Sequence, residues 1–285
     1  MSKRLIGELI TFFTDDQMPL HGFLVRRKSK KCMIIIHGMG GNFYSSQRLP
    51  YFAEAFKEFS VFSINTRGHD DVSSTKRVNG TKHIRTGTGT ERFEESILDI
   101  SAAIRIMWRM GFRKIVLIGH STGCQKILYY QYKRNDRRVK ALVLLGPADD
   151  YSLGIADKKK FRKTMSIVHD LQRKGKANVP SPELGFFSPN RIMSVSSLKN
   201  VESRMLYYDG KLAEFSSITT PICAIFGSEE EYRDRDVSEY LKILSGKTHS
   251  KNYRSIVIDG AAHSFSGYEA KTANRIKEWL DEVTM

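Results

Sequence analysis

Six short runs rich in β-branched and other apolar residues recur along the chain, at 32–36, 61–65, 115–118, 141–145, 222–226 and 256–258. Each is too short for a helix of ordinary length. Apart from Ser63 and Asn65 in the second run, each is apolar at consecutive positions rather than at alternate ones, as expected of a strand buried on both faces. Between the runs lie stretches with helical spacing, at 48–59, 91–110, 125–134 and 267–283. The clearest is 91–110, where Phe93, Ile97, Ile100, Ile104 and Met107 recur three and four residues apart. Thr90 stands where it would cap that helix, and Gly111 where a left-handed residue would end it. Strand–helix alternation of this kind predicts an α/β fold, a mostly parallel central sheet with helices on both faces.

At the amino end, 9–13 and 21–25 read as two strands joined by the polar turn Thr14-Asp15-Asp16-Gln17, a hairpin. The rhythm breaks between 150 and 220. That interval carries Lys158-Lys159-Lys160, three prolines between 180 and 189, and only weak helical patterns, and it is too long for a plain connection. It is expected to be an inserted cap or lid on a core formed by 1–149 and 221–285. A chain of 285 residues that is 40% hydrophobic has enough apolar surface for such a core.

The strongest local pattern is Gly119-His120-Ser121-Thr122-Gly123, set between the run ending at Ile118 and the helical stretch that follows. A serine on a tight strand-to-helix turn projects its hydroxyl from the end of a sheet. Glycines at both flanks let strand and helix close on one another. Ser121 is therefore the candidate nucleophile, with Gly119 and Gly123 as its structural support. A second pattern, His37-Gly38-Met39-Gly40-Gly41, follows the run 32–36. Acyl transfer passes through an oxyanion that needs two preorganised donors. The backbone N–H groups of Met39 and Thr122 are the candidates, with Gly38 opening the turn and His37 supporting it by hydrogen bonding. A phosphate loop is the rival reading of these glycines, but the Walker lysine and hydroxyl are missing.

A serine nucleophile needs a base. Of the eight histidines, His263 in Gly260-Ala261-Ala262-His263 lies between the last predicted strand and the last helix, within reach of the sheet edge where Ser121 emerges. His69 is the second choice, and His120 flanks the serine too closely to turn back to it. The base needs a carboxylate to fix its tautomer. The run 222–226 leads into Gly227-Ser228-Glu229-Glu230-Glu231. Three adjacent carboxylates repel if all are buried, so one should point inward and the others face water. Glu230 is selected; Glu229, Glu231 and Asp149 (or its neighbour Asp150) stay open as alternatives.

Charge and cysteines set outer bounds. Cys32, Cys124 and Cys223 are odd in number and lack metal-ligand spacing, so neither a disulfide framework nor a metal site is expected, and a reducing compartment fits. The formal net charge of +15 invites nucleic acid or acidic surfaces. The basic residues are dispersed, however, and no nucleic-acid-binding motif accompanies them, so no specific nucleic-acid partner is expected. Lys158-Lys159-Lys160 in the cap instead suggests attraction of anionic substrates, an acyl thioester of coenzyme A among them. No run approaches a membrane span and the first residues lack a secretory signal, so a cytoplasmic location is expected. No cofactor is implied, and oligomeric state is left open.

With these residues in hand, the chain resembles the α/β-hydrolase superfamily in its esterase, lipase and thioesterase branches. The resemblance rests on His37–Gly41, Asn65-Thr66-Arg67-Gly68-His69, Gly119–Gly123, Gly227–Glu230 and Gly260–His263, which fall in family order. It implies a nucleophile after the fifth sheet strand, an acid after the seventh and a histidine after the eighth, the positions of Ser121, Glu230 and His263. The acid position commonly holds Asp, and this chain offers Glu. The resemblance implies a serine hydrolase cleaving a small-molecule carboxylic ester. It leaves open a thioesterase, other chemistry of the same fold, or a catalytically silent binding protein.

Overall fold

The computed structural model describes residues 4–45 and 48–283. Strands β1 (Glu8–Phe13) and β2 (Pro19–Val25) pair antiparallel, with Phe13 opposite Pro19. Thr14 closes their turn by accepting the Met18 N–H at 2.9 Å. Then follow β3 (Lys31–Ile36), helix α1 (Arg48–Ala55), β4 (Ser60–Ile64) and a small separate hairpin, β5 (Ser73–Lys76) with β6 (His83–Thr86). Next come α2 (Ser96–Arg109), β7 (Lys114–His120), α3 (Thr122–Arg134) and β8 (Val139–Leu145). Five helices, α4 (Asp150–Ile155), α5 (Lys158–Arg173), α6 (Pro189–Val195), α7 (Val201–Met205) and α8 (Ala213–Ser216), precede β9 (Ile222–Gly227). The chain ends with α9 (Val237–Lys247), β10 (Tyr253–Ile258) and α10 (Glu269–Glu282).

The main sheet has eight strands in the order β1-β2-β4-β3-β7-β8-β9-β10. From β4 to β10 every neighbouring pair is parallel; β2 meets β4 antiparallel. Burial on both faces explains the unbroken apolar runs of β3, β7, β8 and β9, whereas β10, at the sheet edge, exposes Val257 and is buried on one face only. Along β3, Cys32, Ile34 and Ile36 enter the core shared with α2, α3 and α9, while Met33 and Ile35 enter the one shared with α1 and α10. Strands β7, β8 and β9 alternate in the same way.

The interval between β8 and β9 is divided in its packing. Val168, Leu171 and Leu184 form a small cluster of their own. Val201, Met205, Leu206, Tyr208, Leu212, Phe215 and Ile218 instead join the core beneath the sheet. Helix caps follow local chemistry: Asp157 accepts the Lys160 N–H, and Ser188 accepts the Arg191 N–H ahead of Pro189 at the first helical position.

Several local expectations change. Helix α2 starts at Ser96, after a single 3-10 turn at Phe93–Glu95, and Thr90 does not cap it; the Thr90 hydroxyl turns to the Gly87 carbonyl. The cause lies at Glu91, whose side chain is drawn inward to Lys126, 2.6 Å away, so the chain cannot enter the helix there. Gly111 does end the helix: its φ is +98°, and the Gly111 and Phe112 N–H groups close on Trp108 and Met107. Helix α1 stops at Ala55, short of Phe59, and neither the β5–β6 hairpin nor α9 was anticipated from the pattern.

Candidate active site

Ser121 stands between β7, the fifth strand of the main sheet in chain order, and α3. Its backbone has φ +53° and ψ −127°, a conformation L residues rarely adopt. Neighbouring bonds hold it there: the Ser121 N–H donates to the Leu145 carbonyl at 2.9 Å, and the Ser121 carbonyl accepts the Cys124 N–H at 2.8 Å. The flanking glycines have steric causes. A Cβ on Gly119 would lie 2.4 Å from the Gly123 oxygen, and one on Gly123 would lie 2.5 Å from the Ile36 oxygen. Strand β7, helix α3 and the end of β3 thus meet backbone to backbone. The Ser121 hydroxyl has no hydrogen-bond partner among the described residues and faces a cavity of about 540 Å³.

The loop after β3 folds over this serine. A Cβ on Gly38 would lie 2.8 Å from that of Ser121. The backbone N–H groups of Met39 and Thr122 border the same cavity without a partner among the described residues. Gly40, at φ +65°, donates its N–H to the Thr88 hydroxyl at 2.8 Å, and that hydroxyl donates to the Gly68 carbonyl at 2.8 Å. His37 lies behind the loop. Its Nε2 accepts the Thr66 N–H at 3.1 Å, which leaves the proton on Nδ1 to donate to the Gly38 carbonyl at 2.7 Å. Burial, reinforced by the nearby Lys126 ammonium, pushes its pKa down to about 3, so it is a neutral strut.

His263 follows β10, the eighth strand of the main sheet, and lines the same cavity as Ser121. Its Nδ1 lies 2.8 Å and 2.9 Å from the two carboxylate oxygens of Glu230, which follows β9, the seventh. Glu230 is 2% exposed and His263 7%, so the pair sits out of bulk water. The Glu230 carboxylate also accepts the Tyr232 N–H at 3.0 Å. The His263 ring lies between those of Tyr232 and His120, with centroids 4.7 and 5.0 Å away, and its Nε2 bonds to none of the described residues. Gly146, at φ +58°, leaves room for it, since a Cβ there would come within 2.8 Å of Nδ1.

The other candidates lie elsewhere. Glu229 and Glu231 are exposed; Glu229 accepts from Ser228, and Glu231 accepts the backbone N–H of His263 at 2.8 Å, steadying the loop rather than the ring. Asp149 caps α4, accepting from Ser152 and from the Tyr208 N–H, and makes no bond to His263. His69 bonds to the Thr66 carbonyl and to Ser73 and does not border the cavity. His120 turns its Nε2 to the His263 carbonyl at 2.9 Å, and burial beside Arg48 holds its pKa well below the usual value. Lys158, Lys159 and Lys160 are exposed on α5 and line no part of the cavity.

The structure also gives the Asn65–His69 motif its supports, among them Lys126, Glu91 and Arg191, which sequence patterns did not single out. Lys126 on α3 forms a buried ion pair with Glu91, and its Nζ lies 3.4 Å from the Thr66 hydroxyl, which joins it to His37. Gly68 is required there, because a Cβ would lie 2.2 Å from the Glu91 carboxyl carbon. Arg67 is held by Asp99, Glu95 and Asp16. The segment Asn65–His69 is thus a bracket for the loop after β3. On α6, the buried Arg191 pairs with both oxygens of Glu202 and donates to the Thr88 carbonyl at 3.1 Å, tying the helices after β8 to that bracket. The repeated Thr86-Gly87-Thr88-Gly89-Thr90 was the only sequence sign of this seam.

The α/β hydrolase fold family model matches residues 31–169. Solved structures share the architecture at low identity. An esterase of Pyrococcus furiosus, Pf2001, superposes with a TM-score of 0.64 at 17% identity, covering 97% of this chain and 90% of its own. Est1E of Butyrivibrio proteoclasticus, solved with ferulic acid bound, gives 0.62 at 16%, covering 95% of this chain and 98% of its own. The carboxylesterase CesB of Bacillus subtilis gives 0.59 at 15%, covering 97% and 92%. No curated protein matches the chain. Sheet order, family match and structural neighbours together show that the chain has the α/β-hydrolase fold. Among the described residues no helix is long and apolar enough to cross a membrane.

Proposed function

We propose that the protein is a serine hydrolase that cleaves carboxylic esters through an acyl-enzyme on Ser121. The observation that carries this reading is one cavity bordered by a serine in a strained strand-to-helix turn and by a histidine whose Nδ1 is held by a buried carboxylate. Glu230 keeps the proton of His263 on Nδ1, so Nε2 is free to take the proton of the Ser121 hydroxyl as its oxygen attacks the ester carbonyl. The N–H groups of Met39 and Thr122 receive the developing oxyanion; removing one such donor typically costs about 3 kcal/mol of transition-state stabilisation. His263, now cationic, returns its proton to the leaving alkoxide. Water then attacks the acyl-enzyme by the same route, releasing the acid and restoring Ser121. In this reading residues 150–220 form the cap over the cavity, bordering it through Asp150 and through Phe187 in the segment between α5 and α6.

A fluorophosphonate probe tests the proposal. Labelling of the wild type, none of Ser121→Ala, and a fall in ester turnover on the order of 10⁴-fold or more in that variant are expected. Ester hydrolysis by Ser121→Ala at the wild-type rate would overturn it.

A further inference from the structure

Resting on the hydrolase reading above, we infer that the site selects esters bearing an ammonium group, held by Asp150 and Asp71 on the cavity wall.

The cavity contradicts the charge of the chain. The protein carries a formal +15, yet the charged residues bordering the cavity are Arg48, Asp71, Asp150 and Glu269, besides three histidines. Arg48 lies close enough to Glu269 for the two charges to interact. Asp71 and Asp150 have no ion-pair partner among the described residues. Asp150 opens α4 directly after β8, and its Oδ2 accepts the Gln125 Nε2–H at 2.8 Å. Gln125 also donates to the Ala148 carbonyl at 3.1 Å, which fixes the amide and with it the carboxyl. Its place on the first turn of α3 puts that carboxyl beside the helix that Ser121 precedes. The other carboxyl oxygen of Asp150 accepts no hydrogen bond from the described residues. Asp71, exposed to solvent, borders the cavity beside the loop that carries Met39: its Oδ1 would lie 2.8 Å from a Cβ on Gly40.

A carboxyl in this position is unfavourable when the cavity holds nothing to offset it. Burial, reinforced by the Glu202 charge and only partly offset by Arg191, pushes the Asp150 pKa up to about 7. An entering cation removes that penalty, and an anion adds to it. Met39, Ala148, Phe187 and Tyr232 supply the apolar and aromatic part of the wall, beside hydroxyls, an amide and imidazoles, a surface that can also accept the methyl groups of a quaternary ammonium. The lysines that would favour an anionic substrate lie outside the cavity on α5.

Isosteric esters make the test. The p-nitrophenyl ester of 4-(trimethylammonio)butyrate is compared with that of 5,5-dimethylhexanoate, in which carbon replaces nitrogen, and with the p-nitrophenyl half-ester of glutarate. A second pair, 2-(trimethylammonio)ethyl acetate and 3,3-dimethylbutyl acetate, places the cation on the alcohol side. The expected result is a preference in kcat/KM of about tenfold or more for the cation over its neutral isostere in at least one pair, with the glutarate half-ester poorest. In Asp150→Asn that ratio should fall towards unity, and Asp71→Asn should lower it further. Equal kcat/KM across each pair, or a ratio unchanged in Asp150→Asn, overturns the inference. Turnover of the neutral isosteres by the wild type and not by Ser121→Ala would keep the hydrolase reading intact in that event.

Discussion

Replacing His37 by Gln should change how stability responds to acid. His37 is buried, its Nε2 accepts the Thr66 N–H, and its pKa is held down to about 3 by burial. In the unfolded chain the same imidazole titrates near 6.5. Between these two values the unfolded state binds a proton that the native state refuses. The folded-state pKa is therefore the lower one, and the stability this creates is present above about pH 6.5 and drains away as the pH falls towards 3. The full difference corresponds to ~5 kcal/mol, of which ~3 kcal/mol is gone by about pH 4. A domain with a total stability of about 5–15 kcal/mol feels this strongly. Gln offers an amide oxygen to the Thr66 N–H but no titrating group. Near pH 7, His37→Gln should be less stable by about 1–3 kcal/mol for imperfect packing and a lost hydrogen bond. As the pH is lowered to about 4 the gap should close and reverse, because only the wild type has a proton to take up. Urea unfolding of both proteins at matched pH steps measures this. Two stability curves that stay parallel across the range would refute the burial of a neutral His37.

Three further outcomes are expected. Glu230→Gln should lower kcat on the order of 10⁴-fold by releasing the His263 tautomer, whereas Glu229→Gln, altering an exposed carboxylate, should leave steady-state rates within about twofold. Gly38→Ala forces a methyl to within 2.8 Å of the Ser121 Cβ, so ester turnover should fall steeply while the thermal midpoint drops by only a few degrees. Lys126→Met strands a buried Glu91 carboxylate and should cost about 3–5 kcal/mol of unfolding free energy; adding Glu91→Leu should recover much of that loss in the same denaturation assay.

The parallel sheet was legible because its central strands are buried on both faces, which leaves an unbroken apolar run for each of β3, β7, β8 and β9 and a nearly apolar one, broken by Ser63, for β4. The β5–β6 hairpin was not, because Ser73–Lys76 and His83–Thr86 are polar and largely exposed and present no apolar alternation. Helix α9 carries Val237, Tyr240 and Leu244 on one face, a usable spacing hidden among the charges around it. The positions of Ser121, Glu230 and His263 at strand ends could be read from glycine patterns, since close backbone approach leaves a mark in the residue alphabet. The supports could not. Arg191 pairs with Glu202 and Lys126 with Glu91 from different elements of the fold, and a charged residue destined for burial looks like any surface charge until its partner is known. The start of α2 failed for the same reason, since it is the inward turn of Glu91 that delays the helix.

The split packing between β8 and β9 has an evolutionary consequence. The stretch from α7 to α8 is cemented under the sheet, whereas α5 and its neighbours have a small apolar cluster of their own and are tied to the rest mainly by polar links, from Arg191, Ser188 and the α6–α7 hydrogen bonds. The outer portion can therefore be exchanged or remodelled as a module, altering what enters the cleft, without disturbing the foundation that folds the chain.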